Sequence, residues 1–298
     1  MTRWVVVGTG ALGSHWAAAL SRAGEDVQLY VRDRQHKQLD ITTSVHEQIS
    51  HSSLPVCQTA AAAGKDAVWL VFVKAWQLEP LLLQLVDEGL PQQAQLIVSH
   101  NGMGAAEELI QEHPDWQVFD LVTTHGAWRQ DRYHSILAGL GHSWLGARHA
   151  AAQPQWFTTL AAAFPPLTWT DDITLRRWHK LAINCAINPL ATLAQSSNGV
   201  LRSDSARTKI RAVCEEIAKV NLALDANELE AQVHEVIRAT AGNRCSMLQD
   251  ITAGRRTEID YLNGFICRQG VEKQIVTRTN CELADQIRVL EASANPQL

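Results

Sequence analysis

The six cysteines of the sequence, at positions 57, 185, 214, 245, 267 and 281, form no C-x-x-C pair and no other metal-ligand spacing. A metal site built on cysteine is therefore excluded, and all six are expected to be reduced thiols. Positive charge is not in excess either: the formal net charge is -5 over 298 residues. That balance argues against nucleic acid or an acidic membrane surface as a partner, so any cations that bind phosphate must be local. No apolar run approaches the ~20 residues needed to cross a bilayer. The N-terminus enters a strand and a glycine-rich turn at once, without the charged segment and apolar core of a secretory signal, so a cytoplasmic protein is expected. Repeats are absent, and the only biased stretch is an alanine cluster at 60–63, which an ordinary helix or loop explains.

What is present divides the chain in two. Up to about Thr168, short β-rich runs alternate with helical ones, as a doubly wound parallel sheet flanked by helices requires. The strand candidates are RWVVVGTG, DVQLYVR, DAVWLVFVK, AQLIVSHNG and WQVFDLVTTHGA, with further short strands between Ser135 and Ala147. After AAAFPPLTWTDD nearly everything reads with helical period, starting from a helix capped by Asp171 or Asp172. The reading is an α/β N-terminal domain over 1–168, of Rossmann type, followed by an all-helical domain over 169–298.

In the first domain, Gly8, Gly10 and Gly13 have G-x-G-x-x-G spacing between an apolar strand and a helix. In that context the spacing points to a dinucleotide: the glycines permit a tight turn, close approach of a pyrophosphate and close helix packing. Thr9, Ala11 and Leu12 lie inside the same turn, and the helix N-terminus adds partial positive charge. The second strand lacks the acidic residue that would hold a ribose 2'-hydroxyl. It runs instead into Arg32, with Arg34 nearby, which suits the 2'-phosphate of NADP, although Asp33 stands between them. Later strands run into Lys74, into His100-Asn101-Gly102 and into His125-Gly126-Ala127, at the edge where an open α/β sheet binds ligands. The two histidines support no metal spacing or catalytic triad and are expected to be structural.

The helical domain opens with RWHKLAINCAINPLATL, in which Lys180, Asn184 and Asn188 recur every four residues. On a helix that spacing sets an ammonium and two amides along one side. Buried polar groups without partners cost ~1–3 kcal/mol each, so the row is expected to meet a ligand. Desolvation lowers the pKa of such a lysine toward that of a proton donor, useful where hydride transfer creates an oxyanion. Pro189 leaves the carbonyl of Cys185 without its helical donor, and a kink or interruption is expected beside Asn188. Further on, Ser246 and Glu258 would lie about 18 Å apart on one unbroken helix, but Gly254 offers a break. As two helices, the segment would let Ser246 bind a carboxylate while Glu258 meets the lysine or a substrate hydroxyl.

These segments together resemble the ketopantoate reductase (2-dehydropantoate 2-reductase) family. The resemblance lies in GTGALG at 8–13, VKAWQ at 73–77, HNGMG at 100–104, WHKLAINCAINPLATL at 178–193, SNG at 197–199 and SMLQDITAGRRTEIDYLNG at 246–264. It implies NADPH-dependent reduction of ketopantoate to (R)-pantoate on the way to pantothenate and coenzyme A, with the site in a cleft between the domains. By matched position it implies Lys180 as proton donor and Glu258 as a catalytic group that also reaches the cofactor. Asn184, Asn188, Asn198 and Ser246 would hold the substrate, and Arg32, Lys74, Asn101 and Ala127 would serve NADP, in a monomer or homodimer. Two departures stand out: Cys245 replaces a serine or proline before Ser246, and Thr277 replaces a proline at the start of the last helix. The competing readings are a related NADP-dependent reductase of another branched 2-oxo acid and a non-catalytic NADP-binding regulator.

Overall fold

The computed structural model describes residues 2–295 and divides into two compact units. The first comprises the chain up to His100 together with Ala106–Arg176. The second comprises Asn101–Ala105 and everything from Arg177 onward. Among the described residues no helix is long and apolar enough to cross a membrane.

In the first unit the order is β1 (Arg3–Val7), α1 (Ala11–Arg22), β2 (Asp26–Tyr30), β3 (Gln38–Val45), β4 (Gln48–Pro55), α2 (Ala60–Ala63), β5 (Val68–Val71) and α3 (Ala75–Asp87). It continues through β6 (Gln95–Val98), α4 (Glu107–Glu112), β7 (Gln117–Thr123), β8 (Gly126–Arg129), β9 (His134–Gly139), β10 (Ser143–Ala147), α5 (Phe157–Ala163) and β11 (Leu167–Trp169). A seven-stranded sheet runs β11-β10-β7-β6-β5-β1-β2, parallel from β2 to β7. Its central strands are hydrophobic throughout, as strands covered on both faces must be: β5, VWLV, is buried at every position. The strand order reverses between β1 and β5, which makes their carboxyl ends the expected ligand edge.

A second sheet, β4-β3-β9-β8, was not expected from the sequence. Its hairpin of β3 and β4 turns at His46, a non-glycine residue with φ of 52°. Helix α1 packs between the two sheets, and its buried face, including Trp16, Ala17 and Leu20, joins Trp4, Val6, Ile41, Leu54 and Leu137 in one core.

The second unit is helical: α6 (Ile173–Leu193, entering from the first unit), α7 (Asp204–Val220), α8 (Ala226–Ala239), α9 (Ser246–Thr252), α10 (Asn263–Lys273) and α11 (Arg278–Ala294). Short 3-10 turns lie at Asn198–Arg202 and Ile259–Tyr261. Asp172 starts α6 as expected, its carboxylate accepting the N–H of Leu175 at 2.9 Å. The break after α9 also falls as expected, at Gly254 with φ of 61°. Leu181, Cys185, Ile210, Ile217, Leu229, Leu248, Ile266 and Ile287 are core residues here, each almost wholly removed from water.

One expectation fails, and of another the first of two alternatives stays open while the second fails. Cys267 and Cys281 are not separate thiols but a disulfide joining α10 to α11. The antiparallel packing of the two helices, invisible in a 14-residue sequence separation, brings their Cα atoms to 5.6 Å. The other four cysteines are free and buried. Nor is α6 interrupted at Pro189, since it runs unbroken from Ile173 to Leu193.

Candidate active site

At the carboxyl end of β1 the chain turns at Gly8, with φ of 88°. A Cβ there would strike the carbonyl of Phe72, just beyond β5, and a Cβ on Gly13 would strike the carbonyl of Gly8. A Cβ on Gly10 would meet nothing within 4 Å. Two of the glycines therefore close the turn on itself, while the middle one leaves room beside the backbone. Gly10 caps α1 without a side chain, so the N–H groups of Ala11, Leu12 and Gly13, at the start of the helix, have no intrahelical acceptor. An open cradle of backbone donors at a helix start fits a pyrophosphate. Lys74 stands nearby in the chain, directly before α3, its own N–H donating to Gln77 at 3.1 Å.

Arg32 and Arg34, equivalent in sequence, differ in structure. Arg34 donates to both oxygens of Glu88, at 2.8 and 2.9 Å, and to the carbonyl of Gln58 at 2.6 Å, with its guanidinium 4.7 Å from the centre of the Tyr30 ring. It is a structural cation. Arg32, two residues past the end of β2, is exposed, and Asp33 pairs with Arg132 at 3.7 Å. Ala127 lies within β8, its side chain partly packed against the core. His125 is buried against the Phe164 ring and accepts the N–H of Gly141 at 2.9 Å; burial pushes its pKa down. That environment suits a packing role.

The remaining groups lie in the second unit, at five places in the chain. Lys180 is half-buried on α6, and desolvation lowers its pKa below the usual lysine range while the carboxylate of Glu258 partly restores it. Glu258 is 5% exposed, so it is not a surface carboxylate. It precedes the 3-10 turn at Ile259, and both its oxygens accept from Asn101: Oε1 from the backbone N–H at 3.1 Å and Oε2 from Nδ2 at 2.9 Å. The Asn101 loop is held by a further bond from the Met103 N–H to the Tyr261 carbonyl at 2.8 Å. Gly102 is required in this loop, because any Cβ would overlap the Tyr261 backbone. Of the neighbouring arginines, Arg255 pairs with Asp250 and Arg256 with Asp260.

One turn along α6, the Nδ2 of Asn184 is buried without a protein acceptor. Asn188 is also buried, and its carbonyl accepts from the Cys245 thiol at 3.6 Å. Cys245 caps α9 through its sulfur, which receives the Leu248 N–H, and this brings the start of α9 against α6. Ser246 follows as the first residue of α9 and is exposed. Asn198 donates to Thr240 at 2.9 Å, while its buried Oδ1 has no protein partner. A donor on Asn184 and an acceptor on Asn198 thus remain for a polar ligand, and the fixed Glu258 carboxylate acts electrostatically on the Lys180 ammonium.

A glycine cradle at the reversal point of a parallel sheet, in a chain that also carries a desolvated lysine, is the equipment of an oxidoreductase. The comparisons with known proteins narrow the class. Residues 4–150 match the family model described as ketopantoate reductase PanE/ApbA, and residues 172–291 match its C-terminal model. The 2-dehydropantoate 2-reductase of Vibrio cholerae serotype O1 is 36% identical over 295 residues, covering 97% of this chain and 98% of that protein. Among solved structures, the PanE/ApbA family ketopantoate reductase from Ralstonia eutropha JMP134 superimposes with a TM-score of 0.87 at 23% identity, over 99% of both chains. A D-mandelate dehydrogenase in a ternary structure with NADH and anilino(oxo)acetate does so with a TM-score of 0.88, also at 23% identity and over 99% of both chains. At that identity these two show likeness of fold. The chain belongs to the ketopantoate reductase family.

Proposed function

We propose that the protein reduces ketopantoate to (R)-pantoate with NADPH, in the supply of pantothenate for coenzyme A, and that Lys180 delivers the proton. The observation that carries this reading is the buried Glu258 carboxylate, fixed by two donors of Asn101 and acting electrostatically on Lys180 of α6, whose burial lowers its pKa. A regulator that only binds a dinucleotide has no need of such a group.

When bound at the glycine turn, NADPH would supply the hydride for the carbonyl carbon of the oxo acid. As the C=O bond becomes a single bond, negative charge collects on oxygen, where the Lys180 ammonium stabilises it and then gives up its proton. Lowered proton affinity makes that transfer more favourable than from an ordinary lysine. Glu258, held by two donors of Asn101, opposes too deep a depression and keeps Lys180 charged before the transfer. Asn184, Asn188, Asn198 and Ser246 hold the substrate's hydroxyl and carboxylate, and their amides and hydroxyl offer both donors and acceptors for that task. On the cofactor side, the turn from Gly8 to Gly13 takes the pyrophosphate and exposed Arg32 takes the 2'-phosphate. Lys74, Asn101 and Ala127 complete that set.

The test is NADPH oxidation followed with ketopantoate and, in parallel, with other 2-oxo acids, including an aromatic one. Preference for ketopantoate by at least about 10-fold in kcat/KM supports the reading, since a few matched polar contacts are worth that much. Higher kcat/KM with another 2-oxo acid would replace ketopantoate as the substrate, and no turnover with any would overturn the enzyme reading.

A further inference from the structure

Pro189 has no N–H, so the carbonyl of Cys185, four residues earlier, has no donor within α6. The helix is nonetheless continuous across this point. The missing donor comes from another element: Nδ2 of Asn263, at the start of α10, reaches the Cys185 carbonyl at 3.1 Å. The same amide nitrogen donates to Oδ1 of Asn280 on α11 at 3.0 Å. Asn280 in turn donates through its own Nδ2 to Oε2 of Glu216 on α7 at 2.7 Å. Glu216 also accepts the backbone N–H groups of Thr279 and Asn280, at 2.7 and 2.9 Å, and so caps α11, for which Thr277 supplies no side-chain bond. Asn263 and Asn280 are wholly buried and Glu216 nearly so. A chain of hydrogen bonds therefore runs from a buried carboxylate, through two asparagines, to one carbonyl of α6.

That carbonyl lies in the turn joining Asn184 to Asn188. An apolar side chain in place of Asn263 would leave this buried carbonyl without a donor, so the polar chain that ends on it holds the geometry of the turn. A proline disfavours helical backbone in the residue before it, here Asn188, and an unmet carbonyl would let this turn open. We propose that Asn263, backed by Asn280 and Glu216, is a positioning residue for substrate: it replaces the helical donor that Pro189 lacks and sets Asn188 relative to Asn184. The proposal rests on the reading that these two asparagines hold the oxo acid.

Pro189→Ala restores a backbone N–H to Cys185, which gives the test its logic. Asn263→Ala is made in the native background and in the Pro189→Ala background, and each variant is compared with its own parent. The expected result is a fall of about 10-fold or more in kcat/KM for ketopantoate in the native background, carried by KM, with the KM for NADPH unchanged. In the Pro189→Ala background the same change should cost less than about 3-fold, because coupled groups lose their effect once the partner is satisfied otherwise. Equal losses in the two backgrounds, or a lowered melting temperature with unchanged kinetics, would overturn the proposal. If Asn263→Ala does not fold, Asn280→Ser, which loosens Asn263 without removing it, is carried through the same two backgrounds. Asn188→Ala, measured alongside, separates the failures. An unchanged ketopantoate KM in that variant overturns the substrate row itself. A raised KM there, with Asn263→Ala costing the same in both backgrounds, leaves the row standing and removes the positioning role.

Discussion

The two units present their chemistry by opposite means. In the first, the groups proposed for the cofactor are backbone: a turn closed by Gly8 and Gly13, an open space at Gly10 and the donor end of α1, all within a stretch of six residues. In the second, the groups proposed for the substrate are side chains, drawn from α6, α9, two connecting segments and the Asn101 loop, in an element set held by bonds such as Asn101 to Glu258 and Asn263 to Cys185. The lesson is one of specificity. A backbone cradle recognises what all dinucleotides share, whereas a particular substrate has to be matched by side chains, each of which needs support of its own.

Substitutions can sharpen this contrast. The largest effect is expected in the glycine turn, where two neighbouring changes should behave differently. Gly13→Val forces side-chain atoms into the Gly8 carbonyl and should destabilise the first unit by about 3 kcal/mol, read as a lower melting temperature without ligand. Gly10→Ala adds a Cβ that meets no protein atom within 4 Å, so the melting temperature should hold while NADPH affinity drops by about 100-fold, the equivalent of losing one or two charge-assisted hydrogen bonds. Similar behaviour of the two variants would break the distinction between the closing and the open glycine.

Glu258→Gln acts on the second unit. Burial lowers the Lys180 pKa and Glu258 raises it, so loss of the carboxylate lets it fall further. A proton donor is competent only while protonated, and activity therefore disappears as pH rises through its pKa. The alkaline limb of kcat should lie below the ordinary lysine range in the native enzyme. In Glu258→Gln it should move further toward acid, with the loss of activity growing on the alkaline side. A pH-rate profile checks both statements. The smallest of these effects belongs to Arg32→Ala, which should raise the KM for NADPH about tenfold and leave that for NADH unchanged, because only the former carries the 2'-phosphate. Parallel changes for both cofactors would return Arg32 to the status of a surface charge.

Much of the fold was legible because its signals are local. The five strands of the parallel sheet announce themselves as apolar runs ending in glycine or polar residues, and Asp172 and Gly254 mark a helix start and a break. The second sheet was missed because β3 and β4, QLDITTSV and QISHSSLP, are rich in serine and threonine, and their turn uses His46 in place of Asn-Gly or Asp-Gly. In the candidate site, the periodicity of Lys180, Asn184 and Asn188 could be read directly from spacing. What spacing could not show were partners far along the chain: Glu88 on Arg34, Asn101 on Glu258, Asn263 on Cys185 and Cys267 on Cys281. The interruption expected as one outcome at Pro189 illustrates the point, since the proline was visible but the donor that serves the Cys185 carbonyl lies 78 residues beyond that carbonyl.

The measurement that bears most directly on the account is single-turnover reduction of ketopantoate by NADPH in the native protein and in Lys180→Ala. The chemical step should slow by about 100-fold or more, as expected for removal of a general acid that also stabilises the oxyanion, while binding of NADPH stays at the native level. A chemical step as fast as that of the native protein would contradict the central claim that Lys180 supplies the proton.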